Sequence, residues 1–255
     1  MSLVVQKYGG SSLATPELIK SVAARIRSAH DSEGNVVATV SAMGDSTDNL
    51  LSIASEISEI PDLRELDVLL STGELQSCAL VAMALKSMGK KAVSLSGAQA
   101  GIRTDSSYGK AKIAGVDTGR INEELERGNI VIVAGFQGVT HDSDITTLGR
   151  GASDLTAVAL AAGLKADRCE IYTDVEGIYT ADPRLVSDAR KMTQVGFEEM
   201  LELASYGAKM NPRSIELGMV FQVPILVASS FNNEPGTLIH DGDNMDNTVG
   251  EIRNR

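Results

Sequence analysis

Short apolar runs alternate with longer amphipathic stretches along the chain. The apolar runs have the length of strands and are bounded by polar residues or glycine; they cover residues 3–5, 35–41, 92–95, 130–134, 170–173 and 224–228. Between them, apolar residues recur every three or four positions and predict helices, which begin near residues 15, 47, 63, 153, 197 and 212. This alternation favours an α/β fold, with an open, mainly parallel sheet in the middle of a three-layer αβα sandwich.

The first predicted helix has clear start signals. Thr15 is a suitable N-cap residue and Pro16 fits the first helical position. Leu18, Val22 and Ile26 follow at a spacing of four and are expected to form the buried stripe of this helix.

Small and polar residues come directly after several predicted strands. The glycine- or serine-containing segments 7–12, 41–44 and 135–138 all have this placement. In parallel sheets, ligands bind beyond the carboxyl ends of the strands. The sequence therefore predicts a ligand site at this edge of the sheet.

Composition narrows the class of protein. The chain has 255 residues, of which 43% are hydrophobic, and this suits one large domain or two packed lobes. Its net charge is −11, it lacks tryptophan and only 4% of its residues are aromatic. A nucleic-acid partner is not expected, because such proteins need a basic face or stacking aromatics.

Cysteines and hydropathy exclude further classes. Cys78 and Cys169 are far apart and in no CxxC motif, and the three histidines have no metal-ligand spacing, so no metal-ligating residues are predicted. We find no apolar run that reaches the roughly 20 residues of a membrane span, and the N-terminus lacks a signal-peptide pattern. We expect a cytoplasmic protein without a membrane partner.

Residues 7–12 (Lys-Tyr-Gly-Gly-Ser-Ser) are the first candidate for chemistry. Paired glycines allow a ligand to approach the backbone, and the N–H groups of Gly9, Gly10 and Ser11 together with the charge of Lys7 would suit an anion. The segment is not a P-loop, since GxxxxGK[ST] is missing. A purely structural turn is the alternative.

Residues 149–154 (Gly-Arg-Gly-Ala-Ser-Asp) are the second candidate. They form a glycine-rich turn before a predicted helix, with Ser153 as a plausible N-cap and Asp154 after it. Arg150 offers a planar fork suited to a carboxylate. The alternative is a capped helix with a solvent-facing arginine.

Three further segments are less specific. Glu74 ends a Ser-Thr-Gly-Glu stretch that we expect to interrupt a long helix, because glycine lowers helix propensity; an isolated glutamate is otherwise a surface residue. Residues 173–184 mix turn residues, acids and a tyrosine, and could form a nucleotide pocket or a surface loop. Lys209 lies near a predicted helix end, where a lysine also suits the helix dipole.

These motifs occur together and in order, and on them the chain resembles the aspartate kinases of the amino acid kinase family. The resemblance extends from about residue 3 to residue 238 and is carried by residues 4–12, 40–44, 71–74, 146–154, 172–175, 181–184 and 235–238. It implies transfer of the ATP γ-phosphate to the side-chain carboxylate of L-aspartate, with Mg²⁺ on the phosphates. It also implies an amino acid kinase domain over residues 1–240, with an amino-acid lobe (1–130), a nucleotide lobe (131–240) and a linker-like tail (241–255), and a homodimer.

The resemblance assigns roles to single residues. It places the phosphates at Lys7, Gly9, Gly10 and Ser11, with Lys209 acting from the other lobe and Asp154 organising the lysines. It implies an aspartate site in which Glu74 holds the ammonium and Arg150 a carboxylate; the hydroxyl groups of this site are those of Ser41, Thr47 and Ser153. The nucleotide would be surrounded by Thr173, Asp174, Tyr179, Asp182 and Arg184.

The chain departs from the family pattern in a few places. Ala152 replaces a glycine, and Asn211 stands where the family more often has histidine, which puts local nucleotide contacts in doubt. The family usually carries C-terminal regulatory ACT domains, which are expected to be missing from this chain. Two alternatives stay open at this point: a kinase for a related substrate such as glutamate, and a non-catalytic nucleotide or amino-acid sensor on the same fold.

Overall fold

The computed structural model describes residues 2–207 and 210–241. Lys209 and residues 242–255 of the predicted tail lie outside the described residues.

The described chain forms strands and helices in regular alternation. The strands are β1 (Ser2–Tyr8), β2 (Gly34–Val40), β3 (Ala92–Leu95), β4 (Ile102–Thr104), β5 (Ile113–Val116), β6 (Ile130–Ala134), β7 (Gln137–Val139), β8 (Ile145–Thr147), β9 (Arg168–Thr173), β10 (Gln194–Gly196), β11 (Ile225–Ser229) and β12 (Thr237–His240). The helices are α1 (Pro16–Glu33), α2 (Ser46–Ile57), α3 (Leu63–Ser87), α4 (Gly119–Glu126), α5 (Ser153–Leu164), α6 (Phe197–Ser205) and α7 (Pro212–Phe221). A short 3-10 helix, Gly10–Leu13, follows β1.

The large sheet has eight strands in the order β10-β12-β11-β9-β1-β2-β6-β3. Neighbouring strands from β11 to β3 are parallel, while β12 is antiparallel to β11. The predicted α/β class with a mainly parallel sheet is therefore confirmed. Strand β6 lies inside this sheet, and the division into two lobes near residue 130 stays a prediction.

Helices cover both faces of the large sheet. Val36 and Ala38 of β2 pack in a core with residues of α1 and α3, whereas Val37 packs in a second core with residues of α4 to α7. Successive residues of a strand point to opposite faces, so the apolar run 36–38 of β2 serves both cores. The three-layer sandwich is confirmed.

A second, four-stranded sheet was not predicted. Its order is β5-β4-β7-β8, and it contains part of the polar segment 101–120 together with the residues after β6. Its strands are three or four residues long, too short to leave a periodicity in the sequence.

The start of α1 agrees with the sequence, but its buried stripe is shifted. Thr15 Oγ1 accepts a hydrogen bond from the Leu18 backbone N–H at 3.3 Å, as expected of an N-cap. Ile19, Val22 and Ile26 are buried, whereas Leu18 is only half-buried. The prediction of Leu18 was wrong by one position, because spacings of three and four alternate along a helix.

Helix α3 passes a length and composition test for a membrane span. It packs against β3 and β6 and buries the acidic side chains of Asp67 and Glu74. The core helix of a folded domain passes the same test, and this packing is typical of such a helix.

Candidate active site

The carboxyl ends of β1, β2 and β6 meet at one edge of the large sheet and border a cleft. The cleft has a volume of about 330 Å³. Its walls contain Lys7, Gly10, Ser41, Ala42, Gly44, Thr47, Asp48, Glu74, Phe136, Arg150, Gly151, Ser153 and Asp154. Eight of these residues were predicted from the sequence, and the structure brings them into one place: Lys7, Gly10, Ser41, Thr47, Glu74, Arg150, Ser153 and Asp154.

Lys7 and Asp154 form an ion pair in this cleft. Lys7 is near the end of β1 and Asp154 is in the first turn of α5, which packs against β1. The Nζ–Oδ1 distance is 2.8 Å and each side chain is 12% exposed. A Cβ atom on Gly9 would lie 3.5 Å from Lys7 Nζ, so the glycine leaves space beside the ammonium group.

Gly10 allows two loops to approach each other. A Cβ atom at this position would lie 2.7 Å from the carbonyl oxygen of Ala42, closer than side chains are found. The Gly44 N–H donates to the Gly10 carbonyl at 3.0 Å and joins the segments after β1 and β2. Gly10 thus serves the contact between two loops, and the approach of a ligand to this backbone stays a prediction.

Glu74 extends from α3, which is continuous through residues 71–74. The expected interruption was wrong, because Gly73 serves packing: its Cβ would lie 2.9 Å from that of Ala42. The absence of a side chain lets the helix lie against the loop after β2.

The Glu74 carboxylate is buried and only partly hydrogen-bonded. Oε1 accepts from the Ala42 N–H at 3.2 Å, while Oε2 has no hydrogen-bond partner among the described residues. Burial raises the pKa of Glu74 to about 7, against the smaller opposing effect of backbone hydrogen bonds. A buried acceptor oxygen next to a cleft suits a cationic ligand group.

Arg150 lies at the mouth of the cleft. Gly149 and Gly151 on either side of it have φ angles of 91° and 74°, which glycine adopts without strain. The guanidinium pairs with Asp48 in the first turn of α2, and both side chains are largely exposed.

Three hydroxyl-bearing residues complete the polar lining: Ser41, Thr47 and Ser153. Ser153 is the first residue of α5 and not its N-cap, which is Ala152, so that prediction was wrong. A Cβ atom on Gly135 would lie 2.9 Å from Ser153 Oγ. The glycine after β6 thus makes room for Ser153 at the cleft.

Of the predicted nucleotide residues that the structure describes, only Lys7 and Gly10 line this cleft. The others lie next to it, since β9 pairs with β1 and the Gly9 N–H donates to the Tyr172 carbonyl at 3.4 Å. The Ser230 N–H donates to the Thr173 carbonyl at 2.9 Å, so the ends of β9 and β11 are joined. Ser11 is exposed at the same edge.

Residues 173–184 are held by contacts within the segment and by hydrogen bonds to other parts of the chain, such as that from the Ile178 N–H to Thr237 Oγ1 at 2.8 Å. Thr173 Oγ1 donates to Asp174 at 3.1 Å, and the Tyr179 hydroxyl donates to Glu176 at 3.4 Å. Arg184 and Asp182 form an ion pair at 2.7 Å. The segment is an ordered surface at the carboxyl end of β9.

Five residues of the cleft wall were not predicted individually: Ala42, Gly44, Asp48, Phe136 and Gly151. Asp48 follows the predicted Thr47, but a single acid in a helix carries no signal of its partner. Phe136 is buried and has a φ angle of 65°, which is unusual for a residue other than glycine and is not visible in the sequence.

Asn211 connects α7 to the arginine turn. Its Oδ1 accepts from the Arg213 N–H at 3.0 Å and caps α7, while Nδ2 donates to the Gly151 carbonyl at 3.3 Å. Arg213 adds a hydrogen bond to the Leu148 carbonyl at 3.2 Å. The observed contacts of Asn211 are thus to the turn that carries Arg150.

Within residues 2–207 and 210–241, no group of three or more His, Cys, Asp or Glu side chains is placed to hold a metal ion.

The model of the amino acid kinase family matches residues 2–229. The chain belongs to the amino acid kinase family. Aspartokinase of Corynebacterium glutamicum is 55% identical over 241 residues, which are 94% of this chain and 57% of that protein. The chain therefore spans a little over half the length of this member of the amino acid kinase family.

Solved structures of the amino acid kinase family agree. Aspartate kinase from Synechocystis superposes with a TM-score of 0.84 at 48% identity, over 94% of this chain and 40% of that one. Aspartokinase III of E. coli, solved in complex with aspartate and ADP, gives a TM-score of 0.82 at 28% identity, over 94% of this chain and 65% of that one.

Proposed function

We propose that this protein catalyses the ATP-dependent phosphorylation of the side-chain carboxylate of L-aspartate to 4-phospho-L-aspartate. The observation that carries the proposal is the presence of Glu74 and Arg150 in one cleft with the Lys7–Asp154 pair. Glu74 can bind an ammonium group, Arg150 a carboxylate and Lys7 a phosphate. The relatives named aspartokinase support the same substrate.

The chemistry needs charge neutralisation more than proton transfer. The acceptor carboxylate is ionised at neutral pH, so the site requires no general base. Two anionic reactants must be brought together, and positive groups must stabilise the charge of the transferred phosphoryl. Lys7 is the cation of the described residues that lies deepest in the cleft, and Asp154 fixes its ammonium group.

The aspartate site uses the remaining cleft residues. Glu74 Oε2 accepts from the substrate ammonium, and Arg150 binds a carboxylate. Ser41, Thr47 and Ser153 donate hydroxyl hydrogen bonds near the point of transfer. Glutamate has the same groups, but its longer side chain would move the acceptor oxygen relative to Lys7.

The nucleotide site extends from Lys7 toward β9. The backbone N–H groups of Gly10 and Ser11 contact phosphates, and Gly9, whose own N–H donates to the Tyr172 carbonyl, leaves space for them beside Lys7. The base and ribose lie against residues 173–184, where Thr173, Asp174, Tyr179, Asp182 and Arg184 are. Lys209, outside the described residues, acts on the phosphates in the same proposal.

Mg²⁺ enters this proposal as part of the nucleotide complex. Magnesium usually binds through phosphates, water and one or two carboxylates, so the lack of a cluster of three ligands among the described residues fits an ion carried by ATP. Asp154 is the carboxylate of the cleft nearest the phosphate-binding lysine. The ion would neutralise charge on the phosphate oxygens.

The product would open the route to lysine, threonine and methionine. A cytoplasmic location and a homodimer are part of the same proposal; light scattering coupled to gel filtration tests the dimer.

Production of aspartyl hydroxamate from ATP, L-aspartate and hydroxylamine tests the activity. We expect turnover that is abolished in Lys7→Ala and is much weaker with L-glutamate. A sensor would bind magnesium-ATP or aspartate in calorimetry without forming hydroxamate, and this result would overturn the proposal.

A further inference from the structure

Each cation of the cleft is paired with a carboxylate of the protein itself. Lys7 pairs with Asp154, and Arg150 pairs with Asp48. Glu74 is the third acid of the cleft wall, and its Oε1 atom accepts a hydrogen bond from the Ala42 backbone N–H. An incoming dicarboxylate therefore finds Arg150 already in contact with a carboxylate.

The two ion pairs differ in their surroundings. The side chains of Lys7 and Asp154 are each 12% exposed, whereas Arg150 is 74% and Asp48 61% exposed. Exposed pairs are weak because water screens them, and buried pairs are costly to separate. A ligand carboxylate would separate the exposed Arg150–Asp48 pair and leave the buried Lys7–Asp154 pair intact.

We infer that Asp48 holds the position at Arg150 that a substrate carboxylate would take, and competes there with the substrate. This inference rests on the proposed function, in which Arg150 binds a substrate carboxylate. Asp48 is then a residue that sets how much substrate is needed, without taking part in phosphoryl transfer.

The geometry allows this exchange. Asp48 receives a hydrogen bond from the Nη2 atom of Arg150, through one of its oxygens. A guanidinium can hold a carboxylate with two parallel hydrogen bonds, which is the stronger arrangement. A substrate bound in this way would displace Asp48, and the charge of Asp48 would still oppose it.

Asp48 has a second, purely structural position that must be separated from this role. It is an acidic residue in the first turn of α2, where a negative charge stabilises the helix dipole. Loss of that interaction would lower the stability of the protein and leave the affinity for substrate unchanged.

The test compares Asp48→Asn, Asp48→Glu and Glu56→Gln with the wild type in the hydroxamate assay. Asp48→Asn is expected to lower KM for aspartate about two- to fivefold, the range of an exposed ion pair, with a smaller change in kcat and in KM for ATP. Asp48→Glu keeps the charge and should restore a KM near that of the wild type. Glu56→Gln removes an exposed charge from the end of α2, two turns from Asp48, and should leave KM unchanged.

Calorimetric titration with L-aspartate in the absence of ATP distinguishes a failure of the proposed kinase function from a failure of the proposed competition by Asp48. Turnover by the wild type with an unchanged or raised KM in Asp48→Asn would overturn the inference and leave the proposed function standing. Aspartate binding without turnover would overturn the proposed function, and a Kd lowered in Asp48→Asn would still support the competition. If the wild type neither binds aspartate nor turns over, both fall.

Discussion

The Lys7 ammonium lies 2.8 Å from the Asp154 carboxylate, and the two side chains belong to elements separated by most of the chain. Lys7 is in the central part of the sheet, in the strand between β2 and β9, and Asp154 is in the first turn of α5, which packs on that strand. The pair is nearly closed to water, so each charge depends on the other.

Replacement of Lys7 by methionine should lower kcat at least about a hundredfold, because it removes the charge that stabilises the transferred phosphoryl in the proposed reaction. It should also lower the free energy of unfolding by about 2 kcal/mol, since Asp154 is left without its counter-charge. Hydroxamate kinetics and urea denaturation measure the two effects.

The double variant Lys7→Met with Asp154→Asn provides the control. Loss of both charges should recover much of the stability and none of the activity. Recovery of activity would mean that the lysine has only a structural role.

Glu74→Gln should raise KM for aspartate about tenfold to a hundredfold, the range of one hydrogen bond to a charged group. Burial raises the pKa of Glu74 to about 7, so the wild type should bind aspartate better as the pH increases from about 6 to about 8. The KM of the glutamine variant should not follow this titration. An equal pH dependence of KM in both proteins would contradict the proposed role.

Glu74→Gln should weaken the binding of aspartate but stabilise the folded protein at neutral and higher pH. The carboxyl pKa is higher in the folded protein than its ordinary value of 4.5, so the folded state binds this proton more tightly. The associated stability is present below about pH 4.5 and is lost as the pH rises through about 7. Relative to the wild type, Glu74→Gln should therefore gain on the order of 2–3 kcal/mol between pH 5 and pH 8.

Urea denaturation at these two pH values measures the gain, with the exposed Glu56→Gln as the reference. A stability difference that is independent of pH would show that Glu74 is ionised without cost in the folded protein.

Asn211→Ala should lower stability by about 1 kcal/mol through loss of the helix cap. It should also raise KM for aspartate a few-fold, on the order of the loss of one hydrogen bond, because the arginine turn loses its contact at Gly151. Asn211→Asp keeps the cap and removes the donor, so it should raise KM with little loss of stability. If only KM for ATP changes, the residue acts on the nucleotide instead.

Gly73→Ala should destabilise the protein by about 1–3 kcal/mol, although alanine is the better helix former. The new methyl group would lie 2.9 Å from the Ala42 side chain and would push α3 away from the loop after β2. Gln76→Ala, at an exposed position of the same helix, should stay within about 0.5 kcal/mol of the wild type. Thermal denaturation of the two variants gives the comparison.

Much of the sheet and of the cleft could be predicted because the signals are local. Apolar runs such as 130–134 are continuous where a strand is covered on both faces, and the glycine segments after the strands mark the ligand edge. Eight predicted residues consequently lie in one cleft.

Other features depend on contacts that a linear pattern does not contain. Gly73 looked like a helix break, yet it is needed because Ala42 lies against it, 31 positions earlier in the chain. Asp48 was missed for the same reason, since its partner is Arg150, and the contact of Asn211 with Gly151 is likewise not visible in the sequence. The four-stranded sheet was not predicted because its strands are very short.

Strand β1 lies between β2 and β9, and the residues proposed to bind the two substrates lie on different sides of it. In the proposed reaction, Glu74 and the loop after β2 serve the phosphoryl acceptor, and residues 173–184 after β9 serve the donor. Lys7 stands between them and serves both. In this arrangement, mutations among the residues that bind the acceptor can change the substrate specificity in evolution, while the ATP-binding residues stay the same.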